Sequence, residues 1–193
     1  LAKQITHRHE RLRREGVKHA DFHSFLSDRL APAIDQALAA AEHAYDSRGW
    51  SFTAPLPRST HSLSPSDFGF HNALLEADGH LTFVDFEYFG WDDPVKIAAD
   101  VSLHPGMRLS AAHRQRFADR LTAIFGEADG PDPNFAARLA ILRPLYALRW
   151  TLIILNEFLP ESWRRRQQAG QRVAQATILT RQLSKARVML TKA

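Results

Sequence analysis

One short β-hairpin pattern interrupts a chain whose other apolar residues recur at helical spacing. Two apolar runs, residues 73–75 and 81–84, flank the dipeptide Asp78-Gly79, which is a strong signal for a hairpin turn. Elsewhere the apolar residues fall three and four positions apart, as they do on one face of an α-helix. The sequence therefore predicts a mainly α-helical fold built around one small hairpin.

Capping residues and prolines set the limits of the predicted helices. Asp93 before Pro94, Ser110 and Ser162 are predicted helix caps, because their side-chain oxygens can accept from the first free N–H groups. Pro32 and Pro144 should bend or interrupt the helices that contain them. The predicted helices cover residues 2–15, 22–47, 94–103, 111–125, 135–158 and 163–190, with loops at 49–63 and 126–134.

Composition limits the class of protein. A chain of 193 residues with 45% hydrophobic residues is expected to form one domain, residues 1–193, with a buried core. The absence of cysteine excludes disulfides, thiolate nucleophiles and zinc–thiolate sites. The apolar run at residues 150–155 is too short to span a membrane, and we interpret it as part of a core helix. With no signal-peptide pattern, we expect a cytoplasmic protein without a membrane partner.

Charge is segregated along the chain. Residues 60–105 carry eight carboxylates and one cationic side chain, Lys96, whereas residues 162–193 carry eight Lys or Arg and no carboxylate. Repulsion within an acidic segment is relieved by cations, and a divalent metal ion is a natural one. The basic end could indicate nucleic-acid binding, but a solvated helix face is the commoner explanation of such a segment, and we do not expect a nucleic-acid partner.

Three polar residues in and around the hairpin form a spaced motif. Asp67 is followed five residues later by Asn72, and Asp85 ends the second apolar run. This is the layout of a kinase catalytic loop and its metal-binding Asp. In that chemistry a carboxylate takes the proton of the acceptor hydroxyl, a role for Asp67, and oxygen ligands hold Mg²⁺ against the nucleotide phosphates, a role for Asn72 and Asp85.

The motif resembles the catalytic half of the aminoglycoside phosphotransferase and choline kinase-like superfamily. The resemblance lies in SPSDFGFHNALL (residues 64–75) and LTFVDFEYFGWDDP (residues 81–94), about a sixth of the chain. It implies the C-terminal lobe of a protein kinase-like α+β fold, with ATP as cosubstrate and Mg²⁺ as cofactor. It also implies transfer of the γ-phosphate to a hydroxyl of a small molecule, such as a sugar, an amino alcohol or an aminoglycoside.

The chain departs from the family pattern in three ways. Pro65 stands where the family usually has His, and Ile97 stands where many members have Asp, the nearest carboxylate being Asp100. In addition, no β-rich segment with a phosphate-covering loop and a nucleotide-gripping Lys precedes Asp67. We therefore expect a fragment, the C-terminal lobe of a longer kinase-like protein, which alone does not phosphorylate a substrate.

The sequence gives weaker indications that other polar and aromatic residues belong to the substrate or metal site. Trp91 either lines the acceptor pocket or packs, and the latter is commoner for such a ring. Glu157 and Glu161 could bind a cationic substrate, although carboxylates at helix ends are ordinary. His71 adjoins Asn72, but Mg²⁺ avoids imidazole, so a structural or substrate contact is expected there. The remaining histidines of the second half are interpreted as scattered surface residues without partners at ligand spacing, namely His61, His104 and His113.

Two alternatives to an active phosphotransferase stay open. One is a pseudokinase or nucleotide-binding scaffold without turnover, which Pro65 and the missing nucleotide lobe favour. The other is a basic helical nucleic-acid-binding protein, which would show steep salt dependence but gives no reason for the spaced motif. The sequence does not indicate an oligomeric state.

Overall fold

A computed structural model describes residues 1–127 and 129–193, and these residues are mainly α-helical with two small antiparallel sheets. The predicted helical class is therefore confirmed. The chain divides into two compact units. The first, Leu1–Phe52 with Arg143–Ala193, is called the helical unit below, and the second, Thr53–Leu142, the hairpin unit. The predicted loop at 126–134 has no regular structure where it is described, and its Ala128 lies outside the described residues.

The helical unit packs around aromatic and branched apolar side chains. Its elements are α1 (Ala2–Glu15), α2 (Ala20–Ser24), a π-helix (Phe25–Leu30), α3 (Ala31–Asp46), the part of α6 (Phe135–Ile154) from Arg143 onward, a 3₁₀ turn (Leu155–Phe158), α7 (Pro160–Gln168) and α8 (Gln175–Leu190). Phe22 and Phe158 are fully buried and stack with ring centroids 4.1 Å apart. The N–H of Val17 donates to the carbonyl of Phe158 at 2.8 Å, which joins the loop after α1 to the end of the 3₁₀ turn.

The prolines act differently at their two positions. Pro32 lies in the first turn of α3, and the turn before it widens into the π-helix. This agrees with the predicted disturbance, since proline crowds the carbonyl four residues earlier. Pro144, in contrast, lies inside α6, which continues past it to Ile154, so the predicted interruption is wrong. Leu145 and Leu148 beside it are fully buried, and their packing offsets the single backbone bond that proline forgoes.

The C-terminal segment forms two helices where one was predicted. Gly170, at φ +76, ends α7 with its N–H donating to Gln167, while Gln171 N–H donates to Arg166. These two hydrogen bonds are typical of a helix that ends at glycine, because the residue that closes the helix adopts a left-handed backbone conformation. Ser162 is not a cap, because its hydroxyl donates to the carbonyl of Asn156 instead.

One helical stretch among the described residues, Phe135–Phe158, is long and apolar enough to cross a membrane when judged by length and composition alone. It contains the short apolar run at residues 150–155 and extends beyond that run in both directions. Half of its most apolar window is buried inside the protein. A buried core helix has the same pattern, so the absence of a membrane partner stays a prediction.

The described residues of the hairpin unit form two β-ladders, two complete α-helices and the first part of α6. Its elements are β1 (Ser62–Ser64), β2 (Ala73–Leu75), β3 (Leu81–Phe83), β4 (Gly90–Asp92), α4 (Pro94–Leu103), α5 (Ala111–Phe125) and the part of α6 up to Leu142. β2 pairs with β3 as the predicted hairpin, while β1 pairs antiparallel with β4, with Leu63 opposite Trp91. The second pairing was missed, because its partners are short and far apart in sequence. The helices α4 and α5 begin at the predicted caps Asp93 and Ser110.

A buried arginine joins the start of α4 to the loop before α6. Arg138 forms ion pairs with Asp93 and with Asp132, and both Arg138 and Asp132 are buried. Asp93 also accepts the N–H of Val95 as the helix cap. Burial raises the pKa of the Asp93 carboxyl, although Arg138 and the Val95 N–H act in the opposite direction.

We predict that unfolding of the protein depends on pH partly through His9. Burial lowers the pKa of His9, whose Nε2 lies 3.4 Å from the carbonyl oxygen of Leu26. Below pH about 6.5, the ordinary value for histidine, the unfolded chain takes up a proton that the native state resists, so the free energy of unfolding falls as the pH drops. His9→Gln should reduce this slope in denaturant titrations at a series of pH values. His7→Gln, exposed on the same helix, is the control, and an unchanged slope in His9→Gln would contradict the assignment.

We predict that Asp93 contributes more stability than a helix cap alone. Asp93→Asn keeps a capping oxygen but loses the charge facing Arg138, which should cost about 1.5–3 kcal/mol. Asp93→Ala removes the cap as well and should cost about 1 kcal/mol more. Chemical denaturation measures both, with Asp119→Asn on the exposed face of α5 as the control. Equal stability of Asp93→Asn and the wild type would show that the Arg138 pair contributes nothing.

Candidate active site

The hairpin brings Asn72 and Asp85 to adjacent strand ends. Ala73 pairs with Phe83 at the open end of the β2–β3 ladder. One step further, the N–H of Val84 donates to the carbonyl of Asn72 at 2.9 Å, and Asp85 follows directly. The predicted hairpin is therefore confirmed, while the metal-binding role of these two residues stays a prediction.

Two residues of this region have a left-handed backbone that side chains other than glycine seldom adopt. Ser66, just before Asp67, has φ +63, and Asp85 has φ +65. Aspartate tolerates this conformation better than most residues, but it still carries a cost in free energy. Such strain clusters at functional sites, where the surrounding structure holds it in place.

Lys96 holds the loop that carries Asp67. Its Nζ lies 3.2 Å from both the carbonyl oxygen and the hydroxyl of Ser66, and its side chain is only 14% exposed. The same ammonium pairs with Asp92 at 3.4 Å and Asp100 at 3.2 Å. In the sequence, Lys96 is the single Lys or Arg of the acidic segment, but its position there does not indicate which groups it contacts. The structure shows that it neutralises two carboxylates and fixes the strained residue before Asp67.

Asp67 and Asn72 are joined across their loop. The Asn72 side-chain nitrogen donates to the backbone carbonyl of Asp67 at 2.9 Å. Because the nitrogen makes this bond, the amide oxygen is the part of the side chain that can ligate a cation. An amide oxygen and the Asp85 carboxylate are the hard oxygen ligands that Mg²⁺ prefers, so the residues present fit such an ion.

Three carboxylates lie around the exposed hydroxyl of Tyr88. A hydrogen bond to Glu87 raises the pKa of Tyr88, and the charges of Glu87, Asp85 and Asp67 act in the same direction. Asp67 and Asp85 are therefore close enough to this hydroxyl for their charges to act on it, which agrees with the acidic charge of the segment.

His71 and His104 also meet at this loop. Their rings stack with centroids 4.2 Å apart and planes 9° from parallel, and His71 Nε2 lies 3.1 Å from Asp67 Oδ1. Burial, and secondarily His71, lowers the pKa of His104. The interpretation of His104 as a scattered surface residue without a partner is wrong. The two histidines are 33 positions apart in sequence, and only the return of the chain through α4 brings them together.

The backbone at Gly69 lets these groups approach. A Cβ at this position would lie 2.6 Å from His71 Cε1 and 2.7 Å from Met107 Sδ. The next residue, Phe70, donates its N–H to the same sulfur at 3.1 Å. The segment after Asp67 is thus held close against the loop that follows α4.

The remaining predicted site residues have other surroundings. Trp91 lies in β4 and is 59% exposed. Glu157 and Glu161 belong to the helical unit and form ion pairs there, Glu157 with Arg166 at 2.6 Å and Glu161 with Arg11 at 2.7 Å. Their substrate role stays a prediction.

Comparisons with known proteins identify the fold only. No protein-family model matches the chain, and no curated protein matches it. Among solved structures, an ethanolamine kinase from Plasmodium vivax is similar, with a TM-score of 0.51 and 14% sequence identity over 99% of this chain. The chain spans half the length of that kinase. The likeness supports a kinase-like fold for the described residues, in line with the family resemblance of the hairpin motif.

Proposed function

We propose that this chain carries the catalytic residues of a small-molecule phosphotransferase, which transfers the γ-phosphate of ATP to a hydroxyl group. The observation that carries the proposal is the grouping of Asp67, Asn72 and Asp85 at one loop and the open end of one hairpin. The likeness to a kinase structure over nearly the whole chain supports it further. Because the chain spans half of that kinase, activity is a property proposed for the whole gene product.

In this proposal Asp67 accepts the proton of the attacking hydroxyl. Its carboxylate lies on an exposed surface, so an acceptor can reach it, and His71 hydrogen-bonds one of its oxygens. Asn72 and Asp85 would hold Mg²⁺, which supplies positive charge to the phosphates during transfer. The contacts of Lys96 to Ser66 keep the loop of Asp67 in position.

We propose an amino alcohol as the class of acceptor. Exposed aromatic rings follow Asp85, at Phe86, Tyr88, Phe89 and Trp91. A small cation is attracted both by aromatic faces and by carboxylates, so an ammonium group would gain from each of them. The acidic and aromatic surface of the hairpin unit therefore favours a hydroxyl compound that bears an ammonium group.

The first experiment measures Mg²⁺-dependent ATP consumption by the whole gene product with ethanolamine, choline, an aminoglycoside and a sugar as acceptors. Asp67→Asn keeps the size and most hydrogen bonds of the side chain but removes the base, so kcat should fall by roughly 10²–10⁴-fold with little change in stability. Asp78→Asn, in the exposed hairpin turn, is the matched control and should retain activity. Full turnover by Asp67→Asn would exclude the proposed role of this carboxylate.

The second experiment concerns Asp85. Asp85→Asn removes a charge from the proposed metal site, so turnover should require far more Mg²⁺ or disappear. The dependence of the rate on Mg²⁺ concentration measures the effect. An unchanged dependence would place the ion elsewhere.

The same assays, together with a measurement of ATP binding, decide between this proposal and the pseudokinase alternative. A wild-type gene product that binds ATP but turns over none of the acceptors would favour a nucleotide-binding scaffold. Turnover that Asp67→Asn abolishes would favour the enzyme.

A further inference from the structure

A carboxylate and two imidazoles converge beside the loop of Asp67. Asp67, His71 and His104 each offer a ligand atom, and these atoms all lie within 4.8 Å of one another. All three residues belong to the hairpin unit. The ligand chemistry differs from that of Asn72 and Asp85, which offer only oxygen.

We propose that Asp67, His71 and His104 form a binding site for a divalent transition-metal ion such as Zn²⁺, and that an ion bound there engages the Asp67 carboxylate. Two imidazoles and one carboxylate are a ligand set that zinc uses in proteins. Mg²⁺ prefers oxygen ligands and retains its waters, so it is a poor competitor for imidazole. The region thus offers two sites that select different ions.

The pair of Asp67 and His71 already has nearly the spacing that a shared ion requires. Zinc binds imidazole nitrogen and carboxylate oxygen at about 2.0–2.2 Å, so two tetrahedral ligands lie roughly 3.3–3.5 Å apart. The His71 Nε2 to Asp67 Oδ1 distance is 3.1 Å. The ion takes the place of the proton between these atoms, and the His71 ring then carries its single proton on Nδ1, so that it binds as a neutral imidazole.

The second imidazole needs a small rearrangement. Each ring nitrogen binds an ion in its own ring plane, and the two rings are nearly parallel, so one ring must turn for both to reach the same ion. His104 Nδ1 also accepts the N–H of Gly106 at 3.1 Å, a bond that the ion displaces. The loss of one neutral, exposed hydrogen bond is small beside the affinity of a three-ligand zinc site.

The consequence for catalysis rests on the proposed function. A carboxylate that ligates a divalent metal ion is a much weaker base toward the proton of an acceptor hydroxyl, because the ion favours the charged form. An ion at this site therefore inhibits the transfer, while Mg²⁺ at the oxygen site supports it. A transition-metal ion would regulate the transfer because Asp67 would serve both as the general base and as a ligand of that ion.

The test titrates Zn²⁺ into the full chain in competition with a chromophoric chelator, with excess Mg²⁺ present and without ATP. Asp67→Asn, His71→Ala and His104→Ala are compared with His80→Ala, an exposed histidine of the hairpin turn in the same unit. Loss of an outer-shell partner already lowers metal affinity by roughly 10–100-fold, so loss of a ligand should weaken zinc binding at least tenfold. Circular dichroism checks that each variant is folded.

The result expected is tight binding by the wild type and by His80→Ala, with weakening in all three other variants. Bound Co²⁺ should give a visible absorption band that changes in Asp67→Asn. Wild-type affinity in any of the three variants, or equal weakening in His80→Ala, would overturn the site and assign zinc to scattered histidines. Zinc binding is read without turnover, so a catalytically silent wild type would count against the proposed function alone.

Discussion

The candidate site depends on the register of one three-residue ladder. Because side chains alternate along a strand, a slip of one residue between β2 and β3 would turn every side chain to the opposite face. The observed register, extended by the bond from Val84 to Asn72, is what places Asn72 beside the segment that carries Asp85. The left-handed backbone at Asp85 then turns the chain away from the ladder directly after the strand.

Electrostatic balance in the hairpin unit comes from two buried or half-buried cations. Lys96 forms ion pairs with Asp92 and Asp100, and Arg138 forms ion pairs with Asp93 and Asp132. These pairs satisfy carboxylates just before α4, within α4 and in the loop before α6. The carboxylates around Tyr88 have a different environment, since they act together on one exposed hydroxyl. The hairpin unit thus contains two groups of carboxylates. Lys96 and Arg138 neutralise the first group, and the second group, which acts on the Tyr88 hydroxyl, includes Asp67 and Asp85 of the motif.

The sequence predicted the features of the fold that depend on a few neighbouring residues, namely turns and helix caps. The Asp78-Gly79 turn, the cap at Asp93 and the cap at Ser110 each depend on a few neighbouring residues, and each was found where the sequence placed it. The end of α7 at Gly170 carried a local signal as well, a glycine after a polar helical run, and it was overlooked. Pro144 is a different case, because the packing of its neighbours outweighs the local preference. The contacts of Lys96 with Ser66, of His104 with His71 and of Arg138 with Asp93, in contrast, join distant segments and leave no periodic trace in the sequence.

The double pairing of Arg138 has a consequence for how this protein can change in evolution. A planar guanidinium bonds the two carboxylates through separate nitrogens in fixed directions, whereas a lysine would have to reach both from a single nitrogen, as Lys96 does with its own two partners. Loss of the arginine would leave Asp93 and Asp132 facing each other without a counter-charge, and loss of either aspartate would leave the buried cation with one partner. Positions 93, 132 and 138 are therefore expected to vary together among related sequences, so that a neutral trio can replace the charged one only through linked substitutions.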